Sequence, residues 1–196
     1  MAAGLVKVNK EDILGIIGSG EQAKLQAIWI AHYLGITKIR IWARKSSKAL
    51  ALAAELNSCG LTCSVSQNRV QLCKESRIVV TTTPSTMPVL MSEHIVNETH
   101  IIALGADSPG KQELDPTILK RAKYIVTDDH NQCLDHGEFG VACRTQTISS
   151  DSDYALGALL SEGKQLELQA GDISVVDLTG LGVQDLAIAS LINSKI

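Results

Sequence analysis

The chain has 196 residues, of which 45% are hydrophobic and 20% charged, and its formal net charge is −3. This length and apolar content are enough for one globular domain with a hydrophobic core and exclude a disordered chain. Basic and acidic residues are intermixed and aromatic residues make up only 3%, so neither a phosphate-binding basic stripe nor a base-stacking platform is predicted. We therefore expect no nucleic-acid partner.

The sequence also lacks the usual marks of a membrane or secreted protein. The longest apolar runs, such as residues 14–17 and 78–80, are far too short to cross a bilayer, and the N-terminus has no signal-peptide pattern. We expect no membrane partner and a cytoplasmic location. The five cysteines have no Cys-x-x-Cys spacing, which favours free thiols over a disulfide framework or a structural zinc site.

Short β-rich segments alternate with segments of helical periodicity, which predicts a parallel sheet flanked by helices. The predicted strands are residues 13–17, 38–42, 62–65, 77–83, 100–104, 124–127 and 173–177. The predicted helices are residues 22–34, 46–56, 116–122, 154–160 and 184–193, whereas residues 128–150 show no clear pattern. No repeat or linker is present. We predict a single α/β domain over residues 1–196, with a doubly wound, mostly parallel, Rossmann-like sheet.

A glycine-rich turn, Gly18-Ser19-Gly20-Glu21-Gln22-Ala23, lies between the first predicted strand and the first predicted helix. The first glycine permits a tight turn, the second lets backbone amides approach a pyrophosphate, and the small Ala23 lets the helix pack closely on the strand. The helix N-terminus adds unpaired amide donors and partial positive charge. This context favours dinucleotide binding over a purely structural turn.

The second predicted strand ends in Trp42-Ala43-Arg44-Lys45-Ser46-Ser47. Sites that prefer NAD usually carry a carboxylate there, roughly 20 residues past the glycines, and this segment has none. Arg44 and Lys45, with the hydroxyl of Ser46, could hold a 2′-phosphate by charge-assisted hydrogen bonds. The alternative is a solvated turn in which Ser46 only caps the following helix. We favour NADP over NAD.

Two later strand ends carry further candidates. Thr82 and Thr83 end a predicted strand, where hydroxyls can contact ribose or nicotinamide, although threonine also simply favours strands. The segment Gly105-Ala106-Asp107-Ser108-Pro109-Gly110-Lys111 places a carboxylate at the same edge of the sheet. Hydride transfer at a carbon that bears nitrogen needs a group that moves a proton. We predict that Asp107 does so, and the alternative is that it only caps the following turn.

Together these motifs resemble the ornithine cyclodeaminase/mu-crystallin family. The most specific pieces are residues 105–111 and the segment Asp177-Leu178-Thr179-Gly180-Leu181-Gly182-Val183-Gln184-Asp185, and the resemblance covers nearly the whole chain. It implies a Rossmann domain that binds NAD or NADP and acts on an amino or imino acid by cyclodeamination, dehydrogenation or ketimine reduction. A non-catalytic NADP(H)-binding or regulatory protein of the mu-crystallin type is the alternative.

The resemblance also implies roles for particular residues. It makes Asp107 the proton-transferring aspartate, and we place Thr179 in the substrate site. The cofactor contacts that it and the motifs predict are Gly18, Ser19, Gly20, Glu21, Gln22, Arg44, Lys45, Ser46, Thr82, Thr83, Gly105, Ala106 and Lys111. His130, Cys133 and His136 have a spacing that could face one side of a helix, but the resemblance implies no metal and we predict none.

Members of this family carry an N-terminal lobe, which supplies cations for the substrate carboxylate and much of the dimer interface. This chain begins at a segment that resembles the helix leading into the cofactor domain, so we expect the lobe to be absent. Leu186, Ile188, Ala189 and Ile192 on the last predicted helix would then be exposed. We expect a homodimer or association through this face.

Overall fold

The computed structural model describes residues 2–95 and 98–193. The chain begins with a short 3-10 helix, Ala2–Leu5. The β-strands that follow are, in chain order, β1 (Ile13–Ile17), β2 (Lys38–Trp42), β3 (Thr62–Val65), β4 (Ile78–Thr81), β5 (Thr86–Leu90), β6 (Thr99–Ala103), β7 (Gln112–Leu114), β8 (Tyr124–Thr127), β9 (Asp153–Ala155) and β10 (Ile173–Asp177). The α-helices are α1 (Glu21–Leu34), α2 (Ser46–Ser58), α3 (Arg69–Glu75), α4 (Pro116–Arg121), α5 (His130–Asp135), α6 (Glu138–Arg144), α7 (Leu156–Ser161) and α8 (Gly182–Asn193).

Within the described residues, eight strands form one sheet in the order β3-β2-β1-β4-β6-β10-β8-β9, and β5 and β7 form a separate two-stranded sheet. Neighbouring strands are parallel throughout the large sheet. The chain runs from β1 outwards to β2 and β3, and then returns to the other side of β1 as β4. The direction of winding therefore switches between β1 and β4, as in a Rossmann fold. The predicted α/β fold with a doubly wound sheet is confirmed.

Both faces of the sheet are covered, so its central strands are apolar rather than alternating between apolar and polar residues. Ile16 and Val80 pack with α1 and α2 on one face. Their neighbours Ile17 and Val79 pack with α3 and α4 on the other. The alternation along each strand thus divides the core into two layers.

The sequence of α1 has the apolar spacing and the C-terminal glycine that favour a helix at this position. Ala23, Ala27 and Ile30 recur at helical spacing and are buried against the sheet. The helix ends at Gly35, whose φ of 70° lies in the left-handed region that favours glycine. It begins at Glu21, one residue earlier than predicted.

Several predicted boundaries were wrong. The predicted helix at residues 154–160 begins only at Leu156, because residues 153–155 pair with β8 and extend the sheet. The strands predicted at residues 77–83 and 100–104 are shorter or shifted, at Ile78–Thr81 and Thr99–Ala103. Residues 128–150, which gave no pattern, contain α5 and α6.

The last helix is unlike the others because none of its described side chains is buried. Leu186, Ile188 and Ile192 are 57–65% exposed, as predicted for this face. None of the described helices has the length and apolar character needed to cross a membrane.

Candidate functional site

The glycine-rich turn between β1 and α1 has the conformation that its sequence predicts. Gly18 has a φ of +136°, and a Cβ at this position would lie 2.3 Å from Thr82 Oγ1, so only glycine fits without a shift of its neighbour. Its amide donates to the carbonyl of Trp42 at 2.9 Å, which joins the turn to the end of β2. Gly18 is therefore fixed by both neighbouring strands.

Gly20 and the start of α1 leave room for an anion. A Cβ on Gly20 would meet no atom within 4 Å. Gly20 is the N-cap of α1, and no side chain accepts a hydrogen bond from the first helical amides. The amides at this helix N-terminus are unpaired, and the adjacent glycine lets a ligand approach them closely. Together they form a site that fits a pyrophosphate.

The turn after β2 is exposed at Arg44, Lys45 and Ser46. Helix α2 begins at Ser46, and its N-cap is Lys45, which makes no side-chain cap hydrogen bond. Ser46 is therefore not the cap of this helix, whereas the solvated turn stays an alternative to 2′-phosphate binding. Among the residues that the structure describes, Arg44 and Lys45 make no ion pair, so both cations remain available to a ligand.

The ends of β4 and β6 bring the next candidates to the same edge of the sheet. The amide of Thr82 donates to the carbonyl of Ile17 at 2.9 Å, and its hydroxyl donates to the same oxygen at 3.3 Å. The Thr83 hydroxyl is buried and lies beside the buried Glu113 carboxyl, whose pKa it helps to lower.

Asp107 follows β6 and is held by its own loop. Its Oδ1 accepts a hydrogen bond from Lys111 Nζ at 2.5 Å and from the Ser108 hydroxyl at 3.3 Å. The Asp107 side chain is 52% exposed and that of Lys111 is 29% exposed. The carboxylate is thus both accessible and paired with a cation, and Lys111, predicted as a cofactor contact, contacts Asp107.

Glu113 is the residue at this site that the sequence analysis missed. Its side chain is completely buried and accepts hydrogen bonds from the amides of Thr83 and Gly105. It lies in β7, a three-residue strand that the periodicity did not reveal. The available signal was an acidic residue between polar Gln112 and apolar Leu114, close to the candidate Asp107.

The segment after β10 is bound to the segment after β8. Asp128 Oδ2 accepts hydrogen bonds from the amides of Thr179 at 3.0 Å and Gly180 at 2.9 Å. Its Oδ1 accepts a hydrogen bond from the Thr179 hydroxyl at 3.0 Å. Gln132 also donates to that hydroxyl at 2.9 Å. The Thr179 side chain is 5% exposed, so its proposed contact with a substrate stays a prediction.

Helix α5 carries the residues that were considered as metal ligands. Asp129 caps this helix, because its Oδ1 accepts a hydrogen bond from the Gln132 amide at 2.8 Å. Cys133 is buried, and burial strongly raises the pKa of its thiol. His130 pairs with Asp153, and His136 with Asp135. In residues 2–95 and 98–193, no group of three His, Cys, Asp or Glu side chains could hold a metal ion.

The predicted site residues follow the carboxyl ends of parallel strands, so they share one edge of the sheet. Along the strand order this edge carries Arg44 after β2, Gly18 after β1, Thr82 after β4, Asp107 after β6 and Thr179 after β10. Open α/β sheets bind ligands at this edge, in the crevice where the winding switches. The arrangement places the glycine-rich turn at the switch point.

An open hollow of about 480 Å³ lies elsewhere, lined by Trp29, Ile36 and Leu61 among others. Ile36 and Leu61 precede β2 and β3, so the hollow lies near the amino ends of those strands. It contains none of the predicted site residues.

Comparison with known proteins gives a consistent result. The family model for the ornithine cyclodeaminase/mu-crystallin family matches residues 1–196. An alanine dehydrogenase from Archaeoglobus fulgidus is 33% identical over 98% of this chain and 59% of its own length. An iminosuccinate reductase from Paracoccus denitrificans is 35% identical over 92% of this chain and 55% of its own length.

Solved structures show the same relation. An archaeal alanine dehydrogenase dimer with bound NAD superposes with a TM-score of 0.87 at 33% identity, over 97% of this chain and 59% of that one. The iminosuccinate reductase of Paracoccus denitrificans in complex with NAD+ gives a TM-score of 0.85 at 32% identity, over 96% and 58%. The chain spans about three fifths of the length of these relatives. With the family model matching from end to end and the strand-end motifs in their expected places, this chain belongs to the ornithine cyclodeaminase/mu-crystallin family.

Proposed function

We propose that residues 1–196 form the dinucleotide-binding domain of an NAD(P)-dependent oxidoreductase or cyclodeaminase that acts on a small amino or imino acid. The observation that carries this proposal is the set of candidate residues along one edge of the sheet, with the glycine-rich turn at the switch point. The relatives named alanine dehydrogenase and iminosuccinate reductase support the substrate class.

In the proposed site the residues at each strand end bind a different part of the cofactor. The amides of the turn at Gly18–Gln22 cradle the pyrophosphate, and Arg44, Lys45 and Ser46 hold a 2′-phosphate, which favours NADP over NAD. Thr82, Thr83, Gly105 and Ala106 line the nicotinamide half, because they follow the strands on the other side of the switch point. A bound nicotinamide supplies or accepts the hydride.

Asp107 is the group that moves the proton. It is accessible at the strand edge, and the Lys111 ammonium lies 2.5 Å from its Oδ1. As a carboxylate, Asp107 can take a proton from a substrate nitrogen or water, and return it in the reverse direction. Lys111 thus forms an ion pair with the Asp107 carboxylate. In this proposal it also contacts the cofactor.

The protein partner is part of the proposal too. The exposed apolar side chains of α8 favour a homodimer or another association through this face, and a dimer is described for the archaeal alanine dehydrogenase. Sedimentation velocity over a range of concentrations tests this, and a strictly monomeric chain would contradict it. The cytoplasmic location stays a prediction.

The experiment combines cofactor titration with the Asp107→Asn substitution. We expect NADPH to bind saturably, and Asp107→Asn to bind it with similar affinity because the amide keeps the size of the side chain. Reduction of a cyclic imine or of an imino acid by NADPH should fall by about a hundredfold or more in the variant, since the substrate nitrogen must gain a proton as its carbon gains the hydride and the amide cannot deliver that proton.

Ser108→Ala is the matched control, because it removes a neighbouring hydroxyl that contacts Asp107 but leaves the carboxylate and Lys111 in place. It should retain most of the turnover. Saturable NADPH binding without turnover of any amino or imino acid would favour the alternative, a non-catalytic NADP(H)-binding protein. Equal turnover by Asp107→Asn and the unmodified protein would refute the proton-transfer role.

A further inference from the structure

Glu113 combines complete burial with an unusually full set of donors. Its Oε2 accepts the Thr81 hydroxyl at 2.6 Å and the Gly105 amide at 2.7 Å, and its Oε1 accepts the Thr83 amide. Burial raises the pKa of the Glu113 carboxyl, and the same hydrogen bonds oppose the rise. Each carboxylate oxygen therefore has at least one donor inside the protein.

These donors belong to two neighbouring strands and to the loops that follow them. Thr81 ends β4, Thr83 lies in the loop after β4, and Gly105 lies in the loop after β6. Because β4 and β6 are adjacent in the sheet, one carboxylate bridges both loops. The loop after β6 leads directly to Asp107.

The Thr83 carbonyl and the Glu113 carboxylate together leave no room for a side chain at position 105. A Cβ on Gly105 would lie 2.1 Å from the Thr83 carbonyl oxygen and 2.5 Å from Glu113 Cδ. The two loops and the carboxylate are therefore packed too closely for any side chain. This close approach gives a second, steric sign that Glu113 sets the spacing of the loops.

A second buried acid holds Glu113 in place. The carboxylate of Glu138, 1% exposed, accepts the backbone amides of Glu113 at 2.6 Å and Leu114 at 3.0 Å. Behind it, Asp177 accepts the amide of Phe139 at 2.9 Å. Glu138 of α6 thus holds strand β7 in place, and Asp177 of β10 in turn holds α6.

Stability alone gives little reason for this arrangement. A buried carboxylate loses its hydration, and well-packed apolar residues often replace buried charges without loss of stability. A carboxylate can, however, accept from two amides and a hydroxyl at once, which an apolar side chain cannot do. The polar network therefore points to a requirement for fixed loop geometry.

We propose that Glu113 is a positioning residue for the nicotinamide half of the cofactor site. It holds the loops after β4 and β6 at the spacing that the nicotinamide ring and Asp107 require. Among the described residues its hydrogen bonds reach neither the pyrophosphate turn nor Arg44, so we expect the half of the site that holds the adenosine to depend on it much less. This inference rests on the proposed function, namely dinucleotide binding at this edge.

The test compares NADPH with 2′-phospho-ADP-ribose, which lacks only the nicotinamide. In Glu113→Gln, the side-chain amide replaces one acceptor oxygen and faces an N–H or O–H donor. We expect NADPH affinity to fall about tenfold, the effect of losing one charge-assisted hydrogen bond. Affinity for 2′-phospho-ADP-ribose, the truncated ligand, should change by no more than about twofold, which is small beside the tenfold effect of losing one hydrogen bond. A merely structural role would weaken both ligands alike.

Two further variants accompany it. Thr81→Val keeps the shape and strand preference of the side chain but removes one of the three donors, and should lower NADPH affinity about threefold with the truncated ligand unchanged. This variant decides the matter if Glu113→Gln does not fold. Asp153→Asn is the matched control, because Asp153 is a largely buried carboxylate in β9, bonded to Thr127 and His130, and it should leave both affinities unchanged.

The possible outcomes separate the two proposals. If the unmodified chain binds neither ligand, the proposed function fails and this inference fails with it. If the unmodified chain binds both, but Glu113→Gln and Thr81→Val leave the NADPH affinity unchanged or lower both affinities equally, only the positioning role is overturned. Selective loss of NADPH affinity, with the Asp153→Asn control unaffected, supports the inference.

Discussion

Arg44 is the side chain on which the choice of cofactor depends in this account. It is exposed, lies in the turn after β2, and has no ion-pair partner among the described residues. A guanidinium in this position can bind a 2′-phosphate with two parallel hydrogen bonds, whereas a carboxylate would repel the phosphate and bind the ribose hydroxyls of NAD. One residue could therefore reverse the preference.

We predict that Arg44→Asp lowers the ratio of NADPH to NADH affinity about tenfold or more, because a charge-assisted hydrogen bond is replaced by a like-charge repulsion. Fluorescence titration with both cofactors measures this ratio. Lys10→Asp is the matched control, since it changes the net charge equally but lies before β1, at the opposite end of the strand. An unchanged ratio in Arg44→Asp would mean that this turn does not select the cofactor.

His100 determines how one element, the short helix Ala2–Leu5, is attached to the sheet. The side chain lies in β6, with Nδ1 2.7 Å from the Ser174 hydroxyl and Nε2 3.1 Å from the Ala2 carbonyl oxygen. A carbonyl can only accept, so Nε2 donates to Ala2. Complete burial lowers the pKa of His100 to about 4, from an ordinary value near 6.5.

This shift predicts a pH-dependent contribution to stability. Between about pH 6.5 and pH 4 the unfolded chain binds a proton at His100 that the folded chain does not, so its contribution to the free energy of unfolding falls as the pH falls. The loss is up to ~1.4 kcal/mol per unit of pKa difference. Asp177 acts in the opposite direction, because burial raises its pKa to about 7 and its contribution falls as the pH rises.

The measurement therefore compares the unmodified chain with His100→Gln, in which the contribution of Asp177 is common to both and cancels. Glutamine keeps an N–H donor for the Ala2 carbonyl but does not titrate. Urea unfolding at pH 7, 5.5 and 4.5 should show the stability advantage of the unmodified chain shrinking as the pH falls. A constant difference between the two proteins would show that His100 does not titrate as described.

Of the seven predicted strands, β1, β2, β3, β8 and β10 have the predicted bounds, whereas β4 and β6 differ at their ends. Ile13–Ile17 and Ile173–Asp177 are apolar over most of their length because both faces of the sheet are covered. The short strand Gln112–Leu114 could not be found in this way, because three residues show no period and its buried central residue is an acid. Its place depends on Glu138, which is 25 residues away in the sequence.

The same distinction holds for the candidate site as a whole. Local chemistry was sufficient to predict the turn at Gly18 and the candidates Arg44 and Asp107, since each is a short motif directly after a predicted strand. The bridge formed by Glu113 was not predictable, because it depends on which strands are neighbours. The engagement of Thr179 by Asp128 was missed for the same reason, since the two residues are 51 positions apart.

At the scale of the whole molecule, the central claim is that a dinucleotide binds across the carboxyl edge of the sheet, with its pyrophosphate against the turn that joins β1 to α1. The strand order, the open space above Gly20 and the uncapped start of α1 all support this position. The hollow near Trp29 is lined by none of the proposed site residues, so it serves as a negative control for ligand binding in the same chain.

An NMR titration of the 15N-labelled chain with 2′-phospho-ADP-ribose tests this claim most directly. We predict saturable shifts that are largest at the amides of residues 18–22, with smaller shifts at Arg44 and Lys45 and none around Trp29, Ile36 and Leu61. Saturation without shifts at residues 18–22, or no binding at all at millimolar ligand, would contradict the account.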